Sequence, residues 1–222
     1  MINRVLVDAD IVAYRCASSA EQEVESWIPT SRVDELMRNI QSSLQCNNLV
    51  SFISGEHNFR KVLYPEYKAN RTKPQPKWLQ DMNQHLILAW GAEVTDGWEA
   101  DDALAMASVG DPGFVIASID KDLRQIPGNH YDFVKGELVN VSEEQALYNF
   151  YYHLLVGDSA DNIKGAQGIG PVKATKALEH CTTPRQYYNK VRELFRNDEY
   201  LLMTARLIWL KRSPEDVWNP PQ

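Results

Sequence analysis

Glu99-Ala100-Asp101-Asp102-Ala103-Leu104-Ala105-Met106-Ala107, followed by Phe114-Val115-Ile116-Ala117-Ser118-Ile119-Asp120, decides the fold class. The first run consists of strong helix formers, with acids in the turn that faces the positive end of the helix dipole. The second is short and continuously apolar until it stops at a carboxylate, the pattern of a strand buried on both faces. A helix leading into such a strand is the repeating unit of a parallel sheet.

The same alternation extends in both directions. Residues 4–7 predict a buried strand ending at Asp8, and Leu49 to Ile53 a second that closes at Ser54-Gly55. Val33, Leu36, Met37, Ile40 and Leu44 have helical spacing, and residues 79–90 and 143–155 read the same way. Val94 starts a short strand before the Asp96-Gly97 turn. A glycine-rich segment over 157–170 leads into a helix opening on Pro171, and the chain to about Leu210 is mostly helical. The expectation is an α/β protein with a mostly parallel central sheet, helices on both faces and a helical C-terminal region.

The 222 residues carry a net charge of −7, which by itself argues against a phosphate-rich partner. Distribution reverses that argument. Arg60, Lys61, Lys68, Arg71, Lys73 and Lys77 cluster against a single acid, Glu66, and Lys164, Lys173 and Lys176 form a second basic stretch. Cys16, Cys46 and Cys181 are odd in number and far apart, which points to a reducing, cytoplasmic compartment. Nothing reads as a signal peptide or a membrane span.

The acids fall into four groups: Asp8 with Asp10; Glu99 with Asp101 and Asp102; Asp120 with Asp122; and Asp158 with Asp161. On a helix Glu99 and Asp102 share a face, and Asp101 is turned from it by about 100° per residue. In extended chain Asp120 and Asp122 point the same way. Any one pair reads as solvated surface or a helix cap. Together, at strand and helix ends on one sheet edge, they read as a site for a hard cation, Mg²⁺ or Mn²⁺. Two such ions about 3.5–4 Å apart suit phosphodiester hydrolysis.

In the run from Gly157 to Pro171, Gly165, Gly168 and Gly170 allow close approach of backbone to a ligand. The helix start from Pro171 attracts phosphate, and Lys173 and Lys176 lie on one face to grip a DNA backbone without reading bases. Tyr64 and Tyr67 can stack on unpaired bases or pack within the segment.

These residues resemble the 5′ nuclease family, which includes flap endonucleases and bacteriophage 5′–3′ exonucleases. The matching pieces are Val7-Asp8; Phe59-Arg60-Lys61 with Tyr64 through Arg71; Glu99-Ala100-Asp101-Asp102; Ser118 through Asp122; and Gly157-Asp158 through Gly170. The resemblance implies a PIN-like core over residues 1–156, with an arch at about 60–90. It also implies a helix-three-turn-helix element and C-terminal helices over 157–222. Asp8, Glu99, Asp101, Asp102, Asp120, Asp122, Asp158 and Asp161 become the metal-site candidates. Lys68 and Arg71 become the phosphate-contacting catalytic pair. Arg60, Lys61, Tyr67, Gly165, Gly168, Gly170, Lys173 and Lys176 become DNA contacts, with K⁺ at the glycine turn. The implied substrates are DNA 5′ ends or flaps, and RNA in RNA–DNA duplexes, cut by a monomer. A PIN-type ribonuclease and a non-catalytic DNA-binding relative are the alternatives.

Two departures from the family pattern stand out. The family carries an aspartate near the end of the second strand, where this chain reads Phe52-Ile53-Ser54-Gly55-Glu56. Asp10 is an acid where the family often has a small residue.

Overall fold

The computed structural model describes residues 2–222. In chain order the elements are β1 (Arg4–Asp8), α1 (Ala9–Ser19), α2 (Trp27–Leu44), β2 (Leu49–Ile53), α3 (Phe59–Leu63), α4 (Leu79–Trp90), β3 (Glu93–Val94) and α5 (Ala100–Ser108). Then follow β4 (Phe114–Ala117), a 3₁₀ turn (Asp122–Gln125), β5 (Gly128–Asp132), β6 (Glu137–Val141) and α6 (Glu143–Val156). The chain closes with β7 (Gly157–Asp158), β8 (Ile163–Lys164), α7 (Pro171–Leu178), α8 (Pro184–Phe195) and α9 (Asp198–Ile208).

The chain divides into two compact units. The first comprises residues up to Asn58, Lys73–Leu123 and Gly128–Asn140; the second comprises Phe59–Thr72, Arg124–Pro127 and Val141–Gln222. Residues 59–72, expected as part of an arch on the core, therefore cluster with the C-terminal helices.

In the first unit six strands form one sheet in the order β3-β2-β1-β4-β5-β6. β1 pairs in parallel with β2 and β4, β2 with β3, and β4 with β5. Side chains alternate across the pleat. Val5, Val7, Val115 and Ala117 join a core with buried residues of α1, α2 and α4, including Val12, Met37, Ile40, Met82 and Leu86. Leu6 and Ile116, equally buried, face the opposite side, and α5 packs on β1 and β2. The α/β expectation with helices on both faces holds. Strand order reverses between β1 and β4, and a crevice at the carboxyl ends of the strands opens at such a switch point.

The second unit is helical. Phe150, Leu154, Ala174, Leu178, Tyr187, Val191, Leu201, Ala205 and Trp218 form its core, with Tyr67 from the segment after α3. Stacked and edge-on ring pairs run through it: Tyr151 on Tyr187 at 5.2 Å, and Phe150 on Trp209 at 5.1 Å. No described helix is long and apolar enough to cross a membrane.

Helix α1 and strands β5 and β6 go beyond the sequence expectation. Helix α1 follows Asp8 without a turn, so Asp8 acts at once as strand end and helix cap. Strands β5 and β6 are partly polar (GNHYD and ELVNV), which hides them from an apolar-run criterion.

Candidate active site

Asp8 ends β1 beside the switch point and is 1% exposed. Its Oδ1 accepts the Ile11 N–H at 3.2 Å as the cap of α1, and its Oδ2 accepts the Ser118 hydroxyl at 2.6 Å. Ser118 Oγ in turn accepts the Asp120 N–H at 2.9 Å. Asp120 Oδ1 accepts the Asp122 N–H at 2.8 Å. This Asx turn starts the 3₁₀ turn, so Asp120 and Asp122 do not lie in extended chain as their spacing suggested.

A second series of contacts ties α1, β2 and α5 together. Both oxygens of Asp10 accept the Ser54 N–H, at 3.1 and 3.2 Å. Ser54 Oγ accepts the Ala100 N–H at 2.9 Å, at the start of α5. The Ser54 side chain is therefore committed to the backbone, and the carboxylate at the end of β2 comes from Asp10. Glu99 caps α5, and Asp102, fully buried, accepts the Glu99 N–H through Oδ2 at 3.1 Å. Asp101, in the same first turn, is half-buried.

Burial pushes the Asp8 carboxyl up to about 7, and the charges of Asp10 and Asp120 add to that push. The bonds from Ser118 and Ile11 oppose it. Acids crowded at the switch point thus store unfavourable charge that a cation would relieve. Their donors are all hard oxygens, which fits a divalent ion of the magnesium type.

Asp158 and Asp161 belong to the second unit. The His153 imidazole, 3.6 Å away, holds the Asp158 carboxyl well below the usual range, helped by N–H groups of Ala160 and Asp161. Asp161 is turned to the segment after α3: Tyr67 donates to Oδ2 at 2.8 Å, Arg71 to Oδ1 at 2.5 Å, and Lys68 Nζ lies 3.6 Å from Oδ2. Their i, i+3 spacing does not produce a shared helical face, because Asp158 ends β7 and caps a tight turn.

Three expected DNA contacts are structural in this fold. Arg60 is 2% exposed, and its guanidinium donates to the carbonyls of Leu207 at 2.7 Å and Trp209 at 3.0 Å, closing the end of α9. Tyr67 is 4% exposed, with its hydroxyl on Asp161, so its ring is packed instead of presented to a base. A Cβ at Gly165 would lie 2.2 Å from the Leu155 carbonyl oxygen, so this glycine serves a chain crossing and not a ligand.

The other contacts remain on the surface. Lys61, Gly168, Gly170, Lys173 and Lys176 are exposed. Gly168 has φ +75° with open space around it, and Gly170 caps α7. On α7, Ala174 and Leu178 face the core while Lys173 and Lys176 face out. Lys173 Nζ donates to the Gly168 carbonyl at 2.8 Å. Sequence reading gave Ser118 no role beyond its place in the Ser118–Asp122 motif; its hydroxyl links Asp8 to Asp120. It also underrated Asp10, whose partner lies 44 residues away.

Residues 3–152 match the family model described as 5′–3′ exonuclease, N-terminal resolvase-like domain. A 5′–3′ exonuclease of Mycoplasma genitalium is 26% identical, over 92% of this chain and 83% of its own length. The flap endonuclease Xni of Shewanella frigidimarina is 30% identical, over 66% of this chain and 64% of its own length. Among solved structures, the bacteriophage T5 flap endonuclease in a pseudo-enzyme–product complex with DNA and metal ions superposes with a TM-score of 0.74. It is 16% identical, over 93% of this chain and 88% of that one, a likeness of fold. Because that family model spans residues 3–152, more than half of the 222 residues, the chain belongs to the 5′–3′ exonuclease family.

Proposed function

We propose that this chain hydrolyses phosphodiester bonds at or near the 5′ ends of DNA, as an exonuclease and flap endonuclease. The observation that carries the reading is the crowding of Asp8 with Asp10 and Asp120 at the switch point of the sheet. Asp8, Glu99, Asp101, Asp102, Asp120 and Asp122 are the residues proposed to hold Mg²⁺ or Mn²⁺. When bound, the ions supply an activated water and stabilise the leaving oxygen.

The protein's own groups do the rest. Ser118 keeps the Asp8 and Asp120 carboxyls in register through its hydroxyl. Ser54 anchors the start of α5, which sets where the Glu99–Asp102 acids point. Lys68 and Arg71 contact a phosphate of the bound strand and offset charge that builds on it. Lys173 and Lys176 hold the duplex backbone. A monovalent cation at the glycine turn would compete with Lys173 for the Gly168 carbonyl.

The reading extends to RNA in RNA–DNA duplexes, to a monomer and to a cytoplasmic setting, for which the unpaired cysteines are the support. End-labelled flap, nicked and single-stranded substrates, titrated with metal, test it. Cleavage in Mg²⁺ or Mn²⁺ with binding alone in Ca²⁺ is expected. Flap DNA bound but left uncut in all three would mean a non-catalytic DNA-binding protein.

A further inference from the structure

Phe59 and Leu63 of α3, with Trp209, Val217 and Trp218 at and beyond the end of α9, wall a cavity of about 270 Å³. All of them belong to the second unit, and no group given to the nuclease site lines the cavity.

Its size decides what it can hold. A dry cavity of about 150 Å³ admits a benzene ring, and pockets for drug-sized molecules start at about 300 Å³. This one fits a single large side chain and not a whole nucleotide. Aromatic walls favour a ring, through stacked and edge-on contacts. Leu63 and Val217 line it yet stay 36% and 50% exposed, so the apolar surface continues outward onto the rim. That continuation suits a peptide chain leading out of the cavity.

The charges in the lining are unequal. Asp216 Oδ2 accepts Trp209 Nε1 and the Arg212 N–H, each at 2.8 Å, so this acid braces a wall. Lys211 donates to the Asp216 carbonyl and stands 5.2 Å from the Phe59 ring centre. Arg206, in the last turn of α9, has only long bonds: Nε to the Trp218 carbonyl at 3.3 Å and Nη2 to Asn219 Oδ1 at 3.5 Å. Its planar fork of five donors matches a carboxylate, and the Lys211 charge adds to the attraction.

We infer that this cavity docks the carboxyl-terminal aromatic residue of a partner polypeptide. The ring enters among Phe59, Trp209 and Trp218, the terminal carboxylate meets Arg206, and the preceding residue lies on Leu63 and Val217.

The test is fluorescence anisotropy with amino-terminally labelled hexapeptides of glycine and serine that end in leucine and phenylalanine. Saturable binding is expected. Alanine in the last place, or amidation of the terminal carboxyl, should weaken it about tenfold, the scale of one buried ring or one charge-assisted hydrogen bond. Arg206→Gln should cost the free-acid peptide a similar factor and leave the amidated one unchanged, an asymmetry that general damage to the fold would not produce. Leu63→Trp, which fills the cavity from its rim, should abolish binding of both; Val217→Trp repeats this if the first variant does not fold. No saturable binding, equal binding of the alanine or amidated peptide, or equal losses for both peptides in Arg206→Gln, overturns the inference. Acetylphenylalanine that binds as tightly as the hexapeptide makes the ligand a free aromatic acid and overturns the polypeptide assignment. A single-stranded oligonucleotide in EDTA that loses affinity in Leu63→Trp, with the peptide unaffected, gives the cavity to a base and overturns it as well.

Discussion

Ser118 donates its hydroxyl hydrogen to Oδ2 of Asp8 across 2.6 Å, and its oxygen accepts the backbone N–H of Asp120 at 2.9 Å. One small side chain thus links the acid that ends β1 to an acid in the turn that follows the neighbouring parallel strand β4, 112 positions away in the chain. Because the hydroxyl hydrogen points at Asp8, it stabilises the charged form of a carboxyl that burial otherwise protonates. Ser118→Ala is expected to raise the Asp8 pKa further and to weaken Mn²⁺ binding near neutral pH. Calorimetric titration at two pH values checks this; unchanged affinity at both would remove Ser118 from the site.

Asp8 also predicts how the metal-free fold responds to pH. Its folded value of about 7 lies above the ordinary 3.8, so the folded state retains a proton that the unfolded chain releases. Stability from this group is fully present below the unfolded value and is lost as pH rises through the folded one. Thermal melts in EDTA should fall in Tm between about pH 4 and 7. Asp8→Asn should flatten that slope and stabilise the metal-free chain near neutral pH. Mg²⁺ should raise the wild-type Tm and leave the variant's nearly unchanged.

Asp120→Asn should abolish cleavage while DNA binding persists. The amide can still accept the Asp122 N–H, so the turn survives while the charge is lost. Single-turnover cleavage beside a gel-shift titration measures the two separately. Retained cleavage would exclude Asp120 from the chemistry.

Arg60 should behave as a structural residue despite its place in a basic stretch. Arg60→Ala removes a buried guanidinium from two carbonyls and leaves both acceptors short of donors. A loss of roughly 3–5 kcal/mol is expected, the scale for breaking a buried charged network. Denaturant unfolding measures it, and a near-neutral variant would contradict the buried geometry.

Lys173 and Lys176 changed together to alanine should weaken duplex binding and reduce the salt slope by up to about 2. Both side chains are on the outer face of α7, with Ala174 and Leu178 holding the inner one, so stability should change little. An unchanged slope would mean this helix does not grip DNA.

Local patterns determined a good deal by themselves. The runs at 4–7, 49–53 and 114–117 are short, mostly apolar and closed by polar residues, and each is a strand. The spacing at 33–44 and 79–90 makes helices through the same side chains that reach the core. Acids at the ends of those elements were legible because strand ends are sequence-local. What a side chain meets there was not. Arg60 and Lys61 are adjacent cations, yet one is buried on α9 and the other is exposed. Asp158 and Asp161 are three apart, yet one turns to His153 and the other to Tyr67, Lys68 and Arg71. Asp10 takes the place beside Ser54 that a local carboxylate would have filled. Only tertiary structure decided these, because a charge buried on folding needs a partner and that partner can come from anywhere in the chain.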